Sequence, residues 1–593
     1  MRGDAEAAGL GAGFDAPLSR TLDGNRPGRH ARINGVRGQL LVIIVLGSAC
    51  AARAPSGEPL DLVLEHGDVV DGTGAPRLHA DVGIQGERIV AVGDLGSAPA
   101  RRRIDVSGRV VTPGFIDLLG TSELSVLVDG RAEAKIRQGI TTVLHGEGES
   151  VAPIDPGALE EWSDLEAKFH LRIDWRTLDG YWERLHHARP SIRVATLVGA
   201  KSVRAVVLGR GNVQPGPDQL RRMQGEVESA MRQGAFGVGS SLPYAVSRYA
   251  TTDELVALAD AAGRHHGFYA THLRSEGDGV LEAVDEAIEI GRRAQVPVEI
   301  WHLKVWGKQN WGRMKDVVAR IARARAAGQD VSANVYPYLV AGNSLASDVP
   351  AWASDGGREA MLARLHDPAQ RRKVEQEIQA GWAPDEPDRI TIGGSAIGRV
   401  DEFGGKTLTV VARELGLSAA AALVELVVRS RGNVTAFREF GSEEDLVLAL
   451  VQPWTSMGTD WGAPAVDGPL AIGRPHPRGF GTTARILGRY VREQRLLSLE
   501  EAVRKMTSLP AQRLGMPDLG VVRPGALADL VVLDPERVID TATFERPFSY
   551  PMGFDLVMVD GQIVLDHGVR TEARPGGPLL RPGTHDPTAS LRR

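Results

Sequence analysis

Short apolar runs alternate with helix-period segments over most of the chain. Eight apolar runs follow residue 110, and most of them precede a stretch with helical spacing, such as EAVDEAIEIGRRA. Strands that alternate with helices predict a parallel sheet, and eight such units predict a (β/α)8 barrel of the TIM type in an α/β protein. The predicted barrel strands are 111–117, 139–144, 194–199, 234–239, 267–272, 296–302, 329–335 and 453–459.

A different pattern flanks the barrel at both ends. Residues 58–110 include DLVLEHGDVVDG and DVGIQGERIVAVGDL, and residues 511–575 include GALADLVVLDPERV. Alternating apolar positions broken by Gly and Asp predict antiparallel strands. We expect the two segments to pair as one small composite β-sandwich, with the barrel domain, 111–510, inserted between them.

The connection between the seventh and eighth predicted strands is far too long for a single crossover. We therefore expect an inserted subdomain at about 343–400, within the barrel domain. Residues 576–593 follow the second β segment and are predicted to be a C-terminal tail.

The N-terminal part of the chain is typical of a targeting sequence. Residues 1–36 lack periodicity and are predicted to be a disordered extension. Within 37–57, a basic flank precedes a short apolar run, small residues and Cys50, the only cysteine. We expect export to the cell envelope or periplasm, with Cys50 either lipidated, as in a bacterial lipoprotein, or removed with an ordinary signal peptide. If the run is instead a buried segment behind a misplaced start, the protein is cytoplasmic.

The charge balance and the cysteine count exclude some classes of function. Lys and Arg number 69 and Asp and Glu number 75, for a net charge of −6, whereas a nucleic-acid binder needs a clustered basic face. The single cysteine excludes an internal disulfide framework and a cysteine-rich zinc module. We expect a small-molecule partner and no nucleic acid, while the oligomeric state stays open.

Polar residues follow several predicted barrel strands at their C-terminal ends, where the active site of such a barrel lies. The second strand runs into His145 and Glu147, the fifth ends at His272, the sixth at His302, and the eighth is followed by Asp460. Histidine and carboxylate ligands suit zinc, which in catalytic sites takes about three protein ligands and keeps one position open. A partly buried, hydrogen-bonded histidine is the alternative for each of them alone.

Specific motifs extend this pattern to a known family. VVTPGFID, GITTV, GAFGVGSSLPY, YATHLRSEGDG, PVEIWHLK, DVSANVYPY and HPRGFGT occur in this order, followed by LSLEEAVRKMTSLPAQRLG and RPGALADLVVLDP. The chain thereby resembles the amidohydrolase superfamily, and within it the N-acyl-D-amino-acid deacylase (D-aminoacylase) branch, over about residues 60–575.

The resemblance implies roles in metal binding and proton transfer. The two histidines that hold the family's zinc match His272 and His302. The family's aspartate after strand eight, which handles the proton of the attacking water, matches Asp460.

The resemblance also implies a binding site for the substrate. Lys304 and Arg478 match the family's contacts to the substrate carboxylate. Tyr244 matches a catalytic tyrosine beside the scissile carbonyl, and Tyr336 matches a tyrosine of the substrate pocket. Packing at the rim of the cavity is the alternative for both tyrosines, and solvated cations are the alternative for Lys304 and Arg478.

Two departures from the family pattern concern the metal. Leu119 and Thr121 stand where the superfamily has a His-x-His motif after the first strand, and neither replaces an imidazole ligand. Glu147 stands nearest to the branch's metal-binding cysteine, and a carboxylate can take that place. His145 and Glu149 are less favoured substitutes. We therefore expect one zinc ion per chain, held by Glu147, His272 and His302.

The expected activity is the zinc-dependent hydrolysis of a linear amide. The resemblance implies deacylation of N-acyl-D-amino acids to a carboxylate and a free amino acid, with Asp460 as general base and acid. One alternative is a cyclic-amide hydrolase of the hydantoinase or dihydropyrimidinase type, although Ser240 and Ser241 end strand four where those enzymes carry a modified lysine. Another is a catalytically inactive envelope protein that binds its ligand on the same fold.

Overall fold

The computed structural model describes residues 58–395, 397 and 399–589. The predicted disordered extension, the predicted signal segment and Cys50 therefore lie outside the described residues. None of the described helices is long and apolar enough to cross a membrane.

The central domain is a closed barrel of eight parallel strands, which confirms the predicted fold class. Strand three pairs with strand two through its first part and with strand four through its second. Strand eight closes the barrel against strand one, where the Leu118 amide donates to the Met457 carbonyl at 3.4 Å. Strands one to eight are, in order, Phe115–Asp117, Ile140–His145, Arg193–Thr196 continued by Val198–Gly199, Gly237–Ser241, Phe268–His272, Val298–Ile300, Val331–Val335 and Thr455–Met457.

Helices follow the strands and pack their apolar faces against the barrel. Val280–Ala294, for example, buries Val284, Ala287 and Ile290, which recur at helical spacing on one face. The helices are, in chain order, Ser125–Val128, Glu133–Ile136, Pro156–Phe169, Leu178–Ala188, Ala200–Leu208, Pro217–Arg232, Thr252–Gly263, Val280–Ala294, Met314–Ala326, Glu443–Leu450, Arg478–Arg485 with the π-helical continuation Ile486–Glu493, Leu499–Met506 and Ser508–Arg513.

The two terminal segments form one nine-stranded sheet. Val110–Pro113 pairs antiparallel with Leu530–Leu533 and so joins the two segments. A further contact joins the two segments where the amide of Ile89 donates to the carbonyl of Ala526 at 2.9 Å. The nine strands are Leu62–Val69, Leu78–Gln85, Arg88–Gly93, Arg103–Asp105, Val110–Pro113, Leu530–Leu533, Phe554–Val559, Gln562–Asp566 and Val569–Arg570.

The predicted strand 111–117 is divided between the two sheets. Residues 110–113 belong to the terminal sheet, and Phe115–Asp117 is barrel strand one. Gly114 lies at the junction, where a Cβ atom would come within 2.2 Å of the Thr141 side chain. The chain therefore changes sheets at a residue that has no side chain.

The insertion between barrel strands seven and eight is longer than the predicted 343–400. Its strands Val340–Ser344, Ile390–Ser395 and Val434–Glu439 form an antiparallel sheet with the third strand in the middle, so the subdomain closes only near residue 439. Its helices are Ala351–Ser354, Arg358–His366, Pro368–Gly381, Leu408–Leu415 and Ala419–Arg429, and they share a separate apolar core with the sheet.

The predicted C-terminal tail is partly incorporated into the barrel domain. Gly577–Pro578 pairs in parallel with Arg193 and Val194 of barrel strand three. Leu579 follows the same path and donates its amide to the carbonyl of Val194 at 2.8 Å.

Candidate active site

One cavity of about 440 Å³ lies at the C-terminal ends of the barrel strands. It is lined both by the barrel loops and by the start of the insertion. All the predicted site residues contribute to its lining, namely Glu147, Tyr244, His272, His302, Lys304, Tyr336, Asp460 and Arg478. The structure thus brings together residues that are up to 331 positions apart, from 147 to 478.

The three predicted metal ligands converge inside this cavity. Glu147 Oε1 lies 2.9 Å from His272 Nδ1 and 3.3 Å from His302 Nε2. The two ring nitrogens are 3.0 Å apart, and all three ligand atoms fall within 4.8 Å of one another. Two imidazole nitrogens and one carboxylate oxygen in this arrangement are a donor set that suits zinc.

Two local features hold the histidines in place. His272 is the last residue of barrel strand five, so its direction is fixed by the sheet. His302 lies just beyond strand six with a φ of 36°, which residues other than glycine rarely adopt. Its amide donates to Asn334 Oδ1 at 2.8 Å. Strained backbone of this kind concentrates at functional sites.

Glu276 completes the cluster, although the sequence analysis did not select it. Its carboxylate lies 3.5 Å from His272 Nε2 and 3.2 Å from His302 Nδ1, on the ring nitrogens that face away from Glu147. It also accepts a hydrogen bond from Lys304 Nζ at 2.6 Å. Carboxylates behind metal-binding histidines fix the ring orientation and raise the basicity of the ligand.

The electrostatics of the cluster favour a bound cation. Burial alone would raise the pKa of Glu147, but hydrogen bonds from His272 and His302 hold that pKa below its usual value. Burial opposes protonation of His272, yet the carboxylates of Glu276 and Glu147 raise its pKa to about 9. The two carboxylates, on opposite sides of the imidazole rings, therefore favour positive charge at the histidine pair.

The less favoured ligands lie elsewhere. The His145 ring is buried against the Gly120 carbonyl, away from the cluster, and its Nε2 atom has no hydrogen-bond partner among the described residues. Burial lowers the pKa of His145. Glu149 pairs with Lys201 at 3.0 Å. Leu119, at one of the missing histidine positions, is 1% exposed within an apolar cluster.

Asp460 is positioned by a buried polar network at the junction of strands one and eight. Lys135 Nζ donates to Asp117 Oδ2 at 2.9 Å, to Thr459 Oγ1 at 2.7 Å and to the Trp461 carbonyl at 2.8 Å. The Thr459 amide in turn donates to Asp117 Oδ1 at 2.9 Å. Asp460 lies between Thr459 and Trp461 of this network in the chain, with a φ of 48°, and its amide donates to the Leu119 carbonyl at 2.8 Å. Burial raises its pKa, although the Arg478 guanidinium opposes the shift.

A second group of cavity residues carries unsatisfied polar atoms. Arg478 Nη2 pairs with Asp460 Oδ2 at 2.8 Å and donates to the Gly342 carbonyl at 3.2 Å, but its Nε and Nη1 atoms are buried without hydrogen-bond partners among the described residues. The hydroxyl of Tyr336 is likewise buried and unpaired, and the guanidinium lies over its ring at 4.5 Å. Lys304 Nζ is 5.8 Å from the same ring. These donors can receive a carboxylate.

Tyr244 lies beside His272, whereas Tyr336 lies beside His302. The Tyr244 ring packs edge-on against His272 with the centroids 5.2 Å apart. Burial, and then the charge of Glu147, raise its pKa well above the usual value, so the hydroxyl keeps its proton at neutral pH and can donate it in a hydrogen bond.

Known proteins are similar to this chain in sequence and in fold. The model of the amidohydrolase family matches residues 426–565. N-acyl-D-glutamate deacylase of Alcaligenes xylosoxydans xylosoxydans is 36% identical over 526 residues, which are 88% of this chain and 97% of that protein. This chain belongs to the D-aminoacylase branch of the amidohydrolase superfamily.

Two solved structures of this D-aminoacylase branch superpose over 88% of the chain and all of their own. The N-acyl-D-glutamate deacylase of Bordetella bronchiseptica, complexed with zinc and a phosphonate that mimics the tetrahedral intermediate, has a TM-score of 0.74 at 33% identity. A D-aminoacylase with a binuclear metal centre, described by one-metal activation and second-metal attenuation, has a TM-score of 0.74 at 35% identity.

Proposed function

We propose that this protein hydrolyses the amide bond of N-acyl-D-amino acids and releases a carboxylate and a free D-amino acid. One observation carries the proposal: a zinc-type ligand cluster and a group of unsatisfied carboxylate-binding donors line the same cavity. The named deacylases to which the chain is similar over nearly their whole length support the D-amino-acid class.

The amino-acid half of the substrate binds at the cationic end of the cavity. Arg478 and the Tyr336 hydroxyl donate to the α-carboxylate, since guanidinium groups bind carboxylates through paired hydrogen bonds. Lys304 adds a second positive charge on the same side. This contact fixes the amide over the cluster of Glu147 and the two histidines.

The residues around the scissile bond divide the chemistry among them. Glu147, His272 and His302 would hold a zinc ion, which would supply a Lewis acid for the carbonyl and for the acidity of the attacking water. Asp460 accepts the proton of the attacking water and passes it to the departing amine. Tyr244 donates a hydrogen bond to the carbonyl oxygen as negative charge develops there.

We infer one zinc ion per chain. Leu119 and Thr121 offer no imidazole where the superfamily places its His-x-His motif, and the neighbouring His145 is buried against Gly120. The similar D-aminoacylase has a binuclear centre. A second, weaker metal position would therefore need ligands that this chain lacks at those positions.

Metal content and activity together test the proposal. We expect about one zinc per chain in the purified protein, its loss in His272→Ala, and turnover of N-acetyl-D-amino acids but not of their L-enantiomers. His187→Ala, on the exterior helix Leu178–Ala188, is the control and keeps the zinc. A folded protein that takes up no zinc would contradict the proposal and favour the inactive binding protein; turnover of hydantoins alone would favour the cyclic-amide hydrolase.

Asp460→Asn tests the proton-transfer step. The variant keeps the shape of the side chain but cannot accept a proton, so kcat falls by about 10²–10⁴-fold while zinc stays bound. Asp467→Asn, at an exposed carboxylate, serves as the control and leaves kcat unchanged. A kcat within a few-fold of the parent value would remove Asp460 from the mechanism.

We also propose that the protein is exported, on the basis of the basic and apolar segment before Cys50. Fractionation of cells that express the parent and Cys50→Ser tests this. A membrane-bound parent and a released variant support lipidation; equal release of both from the periplasm supports an ordinary signal peptide; retention of both in the cytoplasm contradicts export.

A further inference from the structure

A second cavity adjoins the active-site cavity. Its volume is about 410 Å³, and Tyr244 and Ser347 line both cavities. One side is built by the loops and helices that follow barrel strands two, three and four, and the other by the insertion. The residues of the proposed mechanism other than Tyr244 do not line it.

The order of the aromatic contacts places this second cavity at the acyl end of the substrate. Tyr244 packs against His272 at 5.2 Å, His272 against His302 at 4.3 Å, and His302 against Tyr336 at 6.5 Å. The two tyrosines therefore lie at opposite ends of the histidine pair. Because Arg478 and Tyr336 bind the α-carboxylate in the proposed function, the acyl half extends toward Tyr244.

The guanidinium of Arg248 lines the second cavity without an acidic partner in the described part of the chain. Its Nε atom is buried and donates no hydrogen bond to any described residue, and burial lowers the pKa of the Arg248 guanidinium. The neighbouring cations differ, since Lys201 pairs with Glu149 at 3.0 Å and Arg210 with Asp155 at 2.7 Å. A partly buried cation without a counter-ion is costly, and an anionic ligand would offset that cost.

The rest of the lining fits a flexible chain that ends in an anion. Trp162, Leu165 and Met361 provide apolar surface for methylene groups. Asn433 adds a buried side-chain amide whose Nδ2 atom has no hydrogen-bond partner among the described residues. The charged groups of the lining comprise four cations and two carboxylates, namely Lys201, Arg210, Arg248, Arg358, Glu149 and Glu161.

The loop that carries Arg248 is held in a strained conformation. Val246 has a φ of 70°, which is unusual for any side chain and more so for a β-branched one. The Arg248 amide donates to the Tyr244 carbonyl at 2.9 Å, and Arg274 Nη1 donates to the Arg248 carbonyl at 3.2 Å. These bonds set Arg248 one turn beyond Tyr244, the residue shared by both cavities.

We propose that the second cavity binds the far end of an acyl group that terminates in a carboxylate. The methylene chain passes Tyr244, and the terminal carboxylate accepts hydrogen bonds from Arg248 and Asn433. The preferred substrates are then D-amino acids acylated by dicarboxylic acids, with the N-glutaryl group as an example. This proposal rests on the proposed deacylase function and adds the chemical class of the acyl group.

Steady-state kinetics with matched substrates test the proposal in the zinc-loaded full-length protein. N-glutaryl-D-alanine and N-pentanoyl-D-alanine have acyl chains of five carbons and differ in the terminal carboxylate. We expect kcat/KM to favour the glutaryl compound by about tenfold or more, as for a hydrogen bond to a charged group, and Arg248→Gln to abolish this ratio. Arg292→Gln, at an exposed arginine that pairs with Glu289, keeps the ratio.

The outcomes separate this proposal from the deacylase function. Equal turnover of the two compounds, or preference for the pentanoyl compound, overturns the acyl-group proposal and leaves the deacylase function standing. If no N-acyl-D-amino acid is hydrolysed, the deacylase function fails. Calorimetric titration with glutarate then measures whether the second cavity binds a dicarboxylate. Weaker glutarate binding in Arg248→Gln than in Arg292→Gln supports an anion site there; equal binding in both, or none in the parent, overturns it.

Discussion

Two lysine–carboxylate ion pairs lie at the mouth of the barrel, and one is closed off inside the protein while the other faces the cavity. Lys135 and Asp117, 2.9 Å apart, have no exposed surface, and the lysine directs its remaining hydrogen bonds to Thr459 and the Trp461 carbonyl. Glu276 and Lys304, 2.6 Å apart, line the cavity. The first pair joins strands one and eight, whereas the second contacts the two histidines that are predicted metal ligands.

The difference shows what makes a buried charge functional in this fold. The first pair is fully satisfied and closed to any ligand, so it stabilises the site from behind. The second pair contacts both histidines through Glu276, and Lys304 remains accessible to a substrate. A site residue is thus distinguished by its access to the cavity as well as by its charge.

Lys135→Met gives the largest effect and tests the structural pair. The substitution leaves the Asp117 carboxylate buried without its partner, which costs about 3–5 kcal/mol of the free energy of unfolding. Chemical denaturation measures the loss, and Lys315→Met, at an exposed lysine of the helix Met314–Ala326, changes stability by no more than about 0.5 kcal/mol. Unchanged stability in Lys135→Met would mean that the Lys135–Asp117 pair has no structural role that sets it apart from the Glu276–Lys304 pair.

Lys304→Met tests the cavity pair. Loss of the positive charge weakens binding of the substrate carboxylate, and KM for an N-acyl-D-amino acid rises by about 10–100-fold, as for a hydrogen bond to a charged group. Lys308→Met, at an exposed lysine four residues away, keeps the parent KM. If Lys304→Met instead lost stability with its KM unchanged, the lysine would serve the fold as Lys135 does.

Glu276→Gln separates metal affinity from substrate binding within the cavity pair. The amide lacks the charge that orients the two histidines, so zinc affinity falls by about 10–100-fold, which competition with a chelator measures without reference to activity. Glu282→Gln, at an exposed carboxylate of the following helix, is the matched control. Unchanged zinc affinity would limit Glu276 to its contact with Lys304.

The sequence was sufficient for those parts of the molecule that depend on local patterns. Apolar runs and helical spacing predict the barrel, and the position after each strand predicts His272, His302 and Asp460. Glu276 could have been found, because it lies four residues after His272 in the quoted motif YATHLRSEGDG. Proximity to a predicted ligand was the available signal.

Other features depend on contacts that no local pattern encodes. The insertion extends to Val434–Glu439 because its last strand pairs with two earlier ones, and such distant pairing leaves no periodic signal. The hydrogen bond between Lys135 and Thr459 joins residues that are 324 positions apart in the chain. Lys135 and Asp117 resemble surface charges in the sequence and become a buried pair only when strands one and eight meet.

Tyr336→Phe gives the smallest expected effect and sharpens the contrast between satisfied and unsatisfied polar groups. The Tyr336 hydroxyl has no hydrogen-bond partner among the described residues, so its removal leaves the free energy of unfolding unchanged or raises it by about 1 kcal/mol. The same hydroxyl donates to the bound α-carboxylate in the proposed function, and KM therefore rises by about 3–10-fold.

Tyr338→Phe provides the opposite case two residues away. The Tyr338 hydroxyl donates to Asp540 at 3.3 Å and does not line the cavity, so this variant loses some stability and keeps its KM. Thermal denaturation and steady-state kinetics on both variants decide the matter. If Tyr336→Phe lost stability and kept its KM, the unpaired hydroxyl would not be the polar atom that meets the substrate, and the carboxylate would depend on Arg478 and Lys304 alone.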